Sequence, residues 1–219
     1  MSRRDEQREK NRKRWGQVFI GLFFIAIMVL SIVQFANNST TTNTGLGFNG
    51  YAFTQVPLGF NVTAAGKEFT VQDLPLAQNG SVVTFQNLYG TFVPVEAPPG
   101  IGRRLRNATY IIVTFDPATD PVALQTIDLS RLDLYQELPN VIGAILLNST
   151  AYPGVPVATC ADAKPEVPVI LLAAVNDTAN NANITVAGDC FSVRGNPQGI
   201  LAAKDYVLLT YAGVIPDGS

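Results

Sequence analysis

The apolar positions of this chain form one long unbroken run near the start and many short, punctuated ones thereafter. Between Trp15 and Phe35 lie 21 residues without a charge (WGQVFIGLFFIAIMVLSIVQF). As a helix rising 1.5 Å per residue this run reaches about 30 Å, the hydrocarbon thickness of a bilayer. A buried helix of a soluble domain is the competing reading. It fits poorly, because Val18–Val33 is apolar on every face and interrupted only by Gly21 and Ser31. The pattern predicts a transmembrane helix over 15–35.

Beyond the run the period changes. Residues 36–50 are rich in Thr, Asn and Gly without periodicity and read as a flexible stalk. Four short segments then have strand character: Tyr51–Val56, Glu68–Val71, Val82–Phe85 and Thr91–Val95, separated by Gly, Pro and Asn turn signals. The stretch Ala97-Pro98-Pro99-Gly100-Ile101-Gly102 breaks regular structure and is expected to separate this N-terminal β subregion from the rest of one domain. Thr109–Phe115 (TYIIVTF) reads as a buried strand. Asp120-Pro121 then opens a helix with a capping carboxylate and a proline at its first turn. Along that helix Leu124, Ile127, Leu134 and Leu138 share a face, with Arg131 as the exception in the row, and Pro139-Asn140 stops it.

Val141–Leu147 (VIGAILL) is the next buried strand, so 109–147 reads as a β–α–β unit, right-handed if its strands are parallel. Val167–Val175 and Ile184–Val193 read as two further strands forming a hairpin with a long connection. Asn196-Pro197 repeats the cap-plus-proline start, Ile200, Ala203, Val207 and Tyr211 recur at helical spacing, and Gly213 ends the helix. The predicted fold is α/β, with mixed α+β as the alternative: a mixed sheet with two main helices over 51–215, and a short tail at 216–219.

Charge sets the expected orientation. Residues 1–14 carry seven Lys/Arg and three Asp/Glu, a net of +4, and the chain beyond the run carries eight and fourteen, a net of −6. The basic tail is therefore expected in the cytoplasm and the acidic bulk outside. The run exceeds the roughly 7–15 apolar residues of a signal peptide. Gln34-Phe35-Ala36 also lacks the small residues of a cleavage site, and no lipobox cysteine is present, so an uncleaved signal anchor is predicted.

The exterior assignment has two further supports. Of the fifteen Asn beyond Ala36, eight begin an N-x-S/T sequon: Asn37, Asn38, Asn61, Asn79, Asn107, Asn148, Asn176 and Asn183. That is roughly four times the chance frequency for this composition and predicts a glycosylated surface. The incidental alternative is a Thr- and Asn-rich composition of strands and turns. The two cysteines, Cys160 and Cys190, fall in the same segment, where a disulfide is chemically permitted. Closing a loop of about 30 residues stabilises a fold by roughly 3–4 kcal/mol on the chain-entropy account. A reactive thiol would need a neighbouring cation or histidine, and neither TCADA nor GDCFS supplies one.

Candidate chemistry is sparse. With no histidine the chain lacks the commonest general base and metal ligand, and two cysteines cannot make a four-ligand zinc site. Gly100-Ile101-Gly102 precedes Arg103-Arg104-Leu105-Arg106 rather than a Gly-Lys-Ser/Thr ending, so it reads as a turn and not a phosphate loop. Arg103, Arg104 and Arg106 are the one concentrated positive patch of an acidic domain and a candidate contact for an anionic glycan, lipid headgroup or acidic partner; a solvated turn or pairing with local carboxylates is the plainer reading. The acidic exterior disfavours nucleic acid. Asp116, Asp162, Asp189 and Asp205 would support hydrolysis or calcium binding if brought together, though each is also a natural cap or turn residue. A Ser–Lys pair with Lys67, Lys164 or Lys204 has no supporting spacing.

Two resemblances complete the picture. A basic stretch, then Gly16-Gln17, then a long apolar run resembles the cleavage region of archaeal type IV prepilins, with Trp15 where that pattern carries Lys or Arg. Tyr51 and Phe53, Cys160 ahead of Pro168-Val169-Ile170, Cys190, and a closing helix with Asp205-Tyr206 ending in Gly213-Val214 resemble small archaeal single-pass proteins with an extracytoplasmic α/β domain. That resemblance implies architecture and a host lineage and carries no activity. The expected protein is a membrane-anchored structural or interaction domain, non-enzymatic and without cofactor or metal. Its expected partners are the lipid bilayer and a protein of the membrane or envelope. A pilin-like filament subunit and a carboxylate-dependent envelope hydrolase are the alternatives.

Overall fold

The computed structural model describes residues 46–217. The basic tail 1–14, the apolar run 15–35, residues 36–45, and the sequons Asn37 and Asn38 lie outside the described residues. Among the described residues no helix is long and apolar enough to cross a membrane.

Two sheets and three helices make a mixed α/β fold. The first sheet is an antiparallel meander of β1 (Leu46–Phe48), β2 (Tyr51–Val56), β3 (Gly59–Ala64) and β4 (Lys67–Val71) in that order. β1 lies inside the segment expected to be a stalk. The reason is local: Asn49-Gly50, with φ of 49° and 82°, is a two-residue turn of the kind that suits hairpin twist. The turn closes β1 on β2, with Phe48 opposite Tyr51. Ala65-Gly66 makes a second such turn between β3 and β4, with Ala65 held at φ 51°.

The second sheet has eight strands in the order β5-β6-β7-β11-β12-β10-β8-β9. β5 (Leu74–Asn79), β6 (Val82–Gln86) and β7 (Phe92–Glu96) form an antiparallel meander. β7 joins β11 (Ala182–Ala187) in parallel, which makes the β5–β7 meander and the rest one continuous sheet. The expected division at 97–102 is therefore corrected: the break between the two sheets falls at Gln72-Asp73. Residues 101–106 are instead a short helix, α1 (Ile101–Arg106). Gly100 turns into it at φ 88°, and Gly102 lies so close to the last helix that a Cβ would stand 2.2 Å from Thr210 O.

β8 (Ile111–Phe115), α2 (Pro121–Glu137) and β9 (Val141–Gly143) form the β–α–β unit, with β8 and β9 parallel. The Asp120 carboxylate accepts from the Val122 and Ala123 amides, at 2.9 and 3.4 Å. Arg131, the exception in the apolar row, lays its guanidinium 4.3 Å from the centre of the Phe115 ring and so joins the core through its flat face. The strand expected over 141–147 stops at Gly143, where Tyr135 Oη and Arg131 occupy the space a side chain would need.

The expected hairpin of 167–175 with 184–193 is also corrected. β10 (Val169–Ala174) pairs in parallel with both β8 and β12 (Cys190–Gly195). The single strand expected over 184–193 is two strands, β11 and β12, folded on each other by Gly188-Asp189, with Gly188 at φ 58°. Burial explains the order. β10 has Val169, Ile170 and Leu172 fully buried and belongs in the sheet interior, whereas β11 alternates buried and exposed positions.

Cys160, in a single 3-10 turn, is disulfide-bonded to Cys190, with their Cα atoms 5.2 Å apart. The last helix, α3 (Pro197–Tyr211), is capped by Asn196, whose Oδ1 accepts from the Gly199 amide at 2.8 Å. Gly213, at φ 79°, ends it, and the Val214 and Ile215 amides return to Leu209 O. The spacing predicted one apolar face; in the fold every residue from Ala202 to Thr210 is buried. Sheet, α1, α2 and the β4–β5 junction surround this helix.

The left-handed Ala65 gives a direct check on the meander. Ala65→Asn restores an Asn-Gly pair and is expected to raise stability by about 0.5–1 kcal/mol, since Asn tolerates this region better than Ala. Equilibrium urea unfolding reads the shift in midpoint.

Candidate functional site

The polar centre of the fold lies on α3. Lys204 and Asp205 are consecutive, 1% and 0% exposed, on a helix that is otherwise nearly all apolar. Isolated, either charge would cost several kcal/mol to bury. Lys204 Nζ stands 2.6 Å from Asp205 Oδ1 and 2.9 Å from Asp133 Oδ2 on α2. The other Asp205 oxygen, Oδ2, accepts from the backbone amides of Gln72 and Asp73, at 2.9 and 2.8 Å. Gln72 Nε2 closes the circuit onto Asp133 Oδ2 at 3.3 Å. One side-chain pair thus ties α3 to α2 and to the turn where the first sheet passes into the second.

Asp73, 4% exposed, is the fourth member. Three carboxylates around one ammonium leave a surplus of negative charge. Burial raises the Asp73 carboxyl most, repulsion from Asp205 adds to it and Lys204 opposes it, so that the group titrates at about 7. Burial also acts against the Lys204 charge, but Asp205 and Asp133 outweigh it and hold the ammonium above the ordinary lysine value. At Asp205 burial pushes the carboxyl up, against Lys204 and the two amides. The amide pair on Oδ2 and the adjoining ammonium favour the carboxylate form there, against burial.

The candidate aspartates do not come together. Asp116 Oδ1 accepts from the Ala118 amide in a local turn, at 2.9 Å. Asp162 accepts from the Thr159 amide and hydroxyl in a capping box, which lowers its pKa. Asp189 lies in the β11–β12 turn, 3.9 Å from Arg104. Only Asp205 enters a charged cluster, and its neighbours are residues that sequence reasoning passed over: Asp73 and Asp133. Among the described residues no group of three His, Cys, Asp or Glu is placed to hold a metal ion. Of the candidate lysines, Lys67 pairs with Glu137 at the end of α2 and Lys204 is the ammonium of the cluster.

The arginine patch is partly used internally. Arg104 donates to Gly188 O, and Arg106 donates to Thr210 O, Tyr211 O and Asp217. Asp217, expected in a tail, also accepts from the Gly102 amide at 2.7 Å and so belongs to the fold. Arg103 is exposed and makes no ion pair among the described residues. Of the described sequons, Asn79, Asn107, Asn148, Asn176 and Asn183 are exposed. Asn61 is half-buried in β3, donating to Glu68 at 2.7 Å and accepting from Thr70 at 3.1 Å.

No protein-family model, no curated protein and no solved structure matches this chain.

The sign of the pH dependence follows from Asp73. Its folded pKa lies above the unfolded value of 3.8, so the folded state holds the proton more tightly. The stability this contributes is complete below about pH 4 and is lost as pH rises through about 7, a swing on the order of 4 kcal/mol. Asp73→Asn removes the titration: wild type is expected to lose stability between about pH 4 and about pH 7 in urea titrations, and the variant to give a flatter curve.

Proposed function

We propose that this chain is a single-pass, N-in membrane protein displaying a disulfide-linked, glycosylated α/β domain outside the cell. Its role is structural or interactive, as an envelope component or part of a membrane complex, and it is not an enzyme. The observation that carries the reading is the 21-residue charge-free run Trp15–Phe35 behind a tail of net charge +4. The Cys160–Cys190 bond supports an oxidising compartment. Five exposed sequon asparagines support an enzymatically modified surface. The domain's polar centre ties α3 to α2 and to the junction of the two sheets, which suits a scaffold.

A pilin-like subunit is the second reading, favoured by the Gly16-Gln17 junction. It separates by the mass of the mature N-terminus: cleavage after Gly16 supports it, and an intact basic tail removes it.

Alkaline carbonate extraction of cells producing the chain tests the anchor. The protein is expected in the membrane pellet, with the domain digested by protease added to intact cells. Recovery in the soluble fraction, or protection from external protease, contradicts the proposal.

A further inference from the structure

The two faces of the eight-stranded sheet are covered unequally. α3 packs on one face, that of Val95, Leu172, Ile184 and Val193. On the other face the half built by β8, β10 and the start of β12 is roofed by the chain that follows β9. Thr114 Oγ1 donates to Ala158 O at 2.9 Å, and the disulfide fastens Cys160 to Cys190 at the first position of β12. The roof ends there. The half built by β6, β7, β11 and the end of β12 has nothing over it among the described residues. Strand register brings Phe92, Pro94, Glu96, Asn183, Thr185 and Arg194 together on it, with Phe92 58% exposed.

Asn183-Ile184-Thr185 lies across the middle of this open half. Residues two apart on a strand face the same way. The Asn183 amide and the Thr185 hydroxyl, the two groups a sequon presents to a glycosylating enzyme, therefore stand side by side and exposed. Asn183 Nδ2 has one long hydrogen bond, to Glu96 at 3.4 Å, and keeps a second proton free. Two shallow grooves meet at Asn183: one of about 310 Å³ that includes Pro94 and Arg194, and one of about 410 Å³ that includes Glu96 and Thr185. Asn79, Asn107, Asn148 and Asn176 sit in turns or at strand and helix ends, and Asn61 belongs to the other sheet.

We propose that Asn183 carries an N-linked glycan that lies in these two grooves and serves as the cover of the open half-sheet; this rests on the glycosylated-exterior reading. In the transfer, a bond forms between Nδ2 and the anomeric carbon of a lipid-phosphate-linked oligosaccharide. The bond from that carbon to the phosphate oxygen breaks, the lipid phosphate leaves with the electron pair, and one Nδ2 proton is released. The remaining N–H stays available to Glu96. Sugar C–H faces stack on Pro94, and hydroxyls meet Glu96 and Arg194. The glycan also closes the face to a second sheet, so partners of this domain dock elsewhere.

Peptide mapping by mass spectrometry of the full chain purified from the cells that naturally make it decides the matter. An oligosaccharide mass on the Asn183 peptide in most copies is expected, and Thr185→Val, which keeps the asparagine, abolishes it. The same variant is expected to raise the fluorescence of an apolar surface dye several-fold, while Asn107→Gln leaves it unchanged. Should Thr185→Val fail to fold, the map of the natural chain stands alone. Other sequons modified and Asn183 bare overturns this proposal and leaves the glycosylated reading intact; a dimeric mass in that case assigns the face to a second copy. No glycan at any sequon overturns both.

Discussion

The fold turns on burying a lysine and an aspartate at consecutive positions of its central helix. Neither charge survives burial alone, so their partners must arrive with them. Asp133 has to come from α2, and two backbone amides have to come from the junction at Gln72-Asp73. Those partners lie 71 and more than 130 residues away in sequence, so satisfying one helix turn fixes the mutual positions of both sheets and two helices. Apolar packing alone would hold α3 in place but tolerate small rotations; the amide pair on Asp205 Oδ2 allows one. The surplus negative charge that results falls on Asp73, which resolves it by keeping its proton to about pH 7.

Much of the architecture was legible because local chemistry and long-range packing agree. Asp120-Pro121 and Asn196-Pro197 start helices as their side chains require, and Gly213 stops one. The β–α–β unit expected over 109–147 is present, with its strands ending at Gly143, and the Cys160–Cys190 bond also followed from the reading. Errors arose where a strand's neighbours are non-local. β11 and β12 read as one strand because Gly188-Asp189 is a brief interruption in a continuous apolar pattern. The parallel neighbours of β10 cannot be read from its own residues, which say only that it is interior. α1 was hidden by Pro98, Pro99 and Gly100, which precede the helix and do not occupy it. The Asn49-Gly50 turn was a readable hairpin signal, masked by the polar composition ahead of it.

The charge cluster was the least legible feature, for a physical reason. A Lys-Asp pair in a helix ordinarily marks the solvent face, and consecutive residues do not face each other on a helix surface. The available signal was that Ile200–Leu209 is otherwise nearly all apolar, which describes a helix buried all round rather than one with a polar side. Two opposite charges inside such a helix have to be paired internally. Asp73 and Asp133 gave no signal, since their roles come from the helix that packs on them. This arrangement spends the charges of the cluster on the domain's own architecture, which supports the proposed reading as a displayed scaffold.

Removing the ammonium alone probes that dependence most directly. Lys204→Met keeps the apolar stem and strands Asp205 and Asp133. The account predicts a loss of about 3–5 kcal/mol in equilibrium unfolding, together with loss of hydrogen-exchange protection at the Gln72 and Asp73 amides. Stability within about 1 kcal/mol of wild type, with those amides still protected, would contradict it.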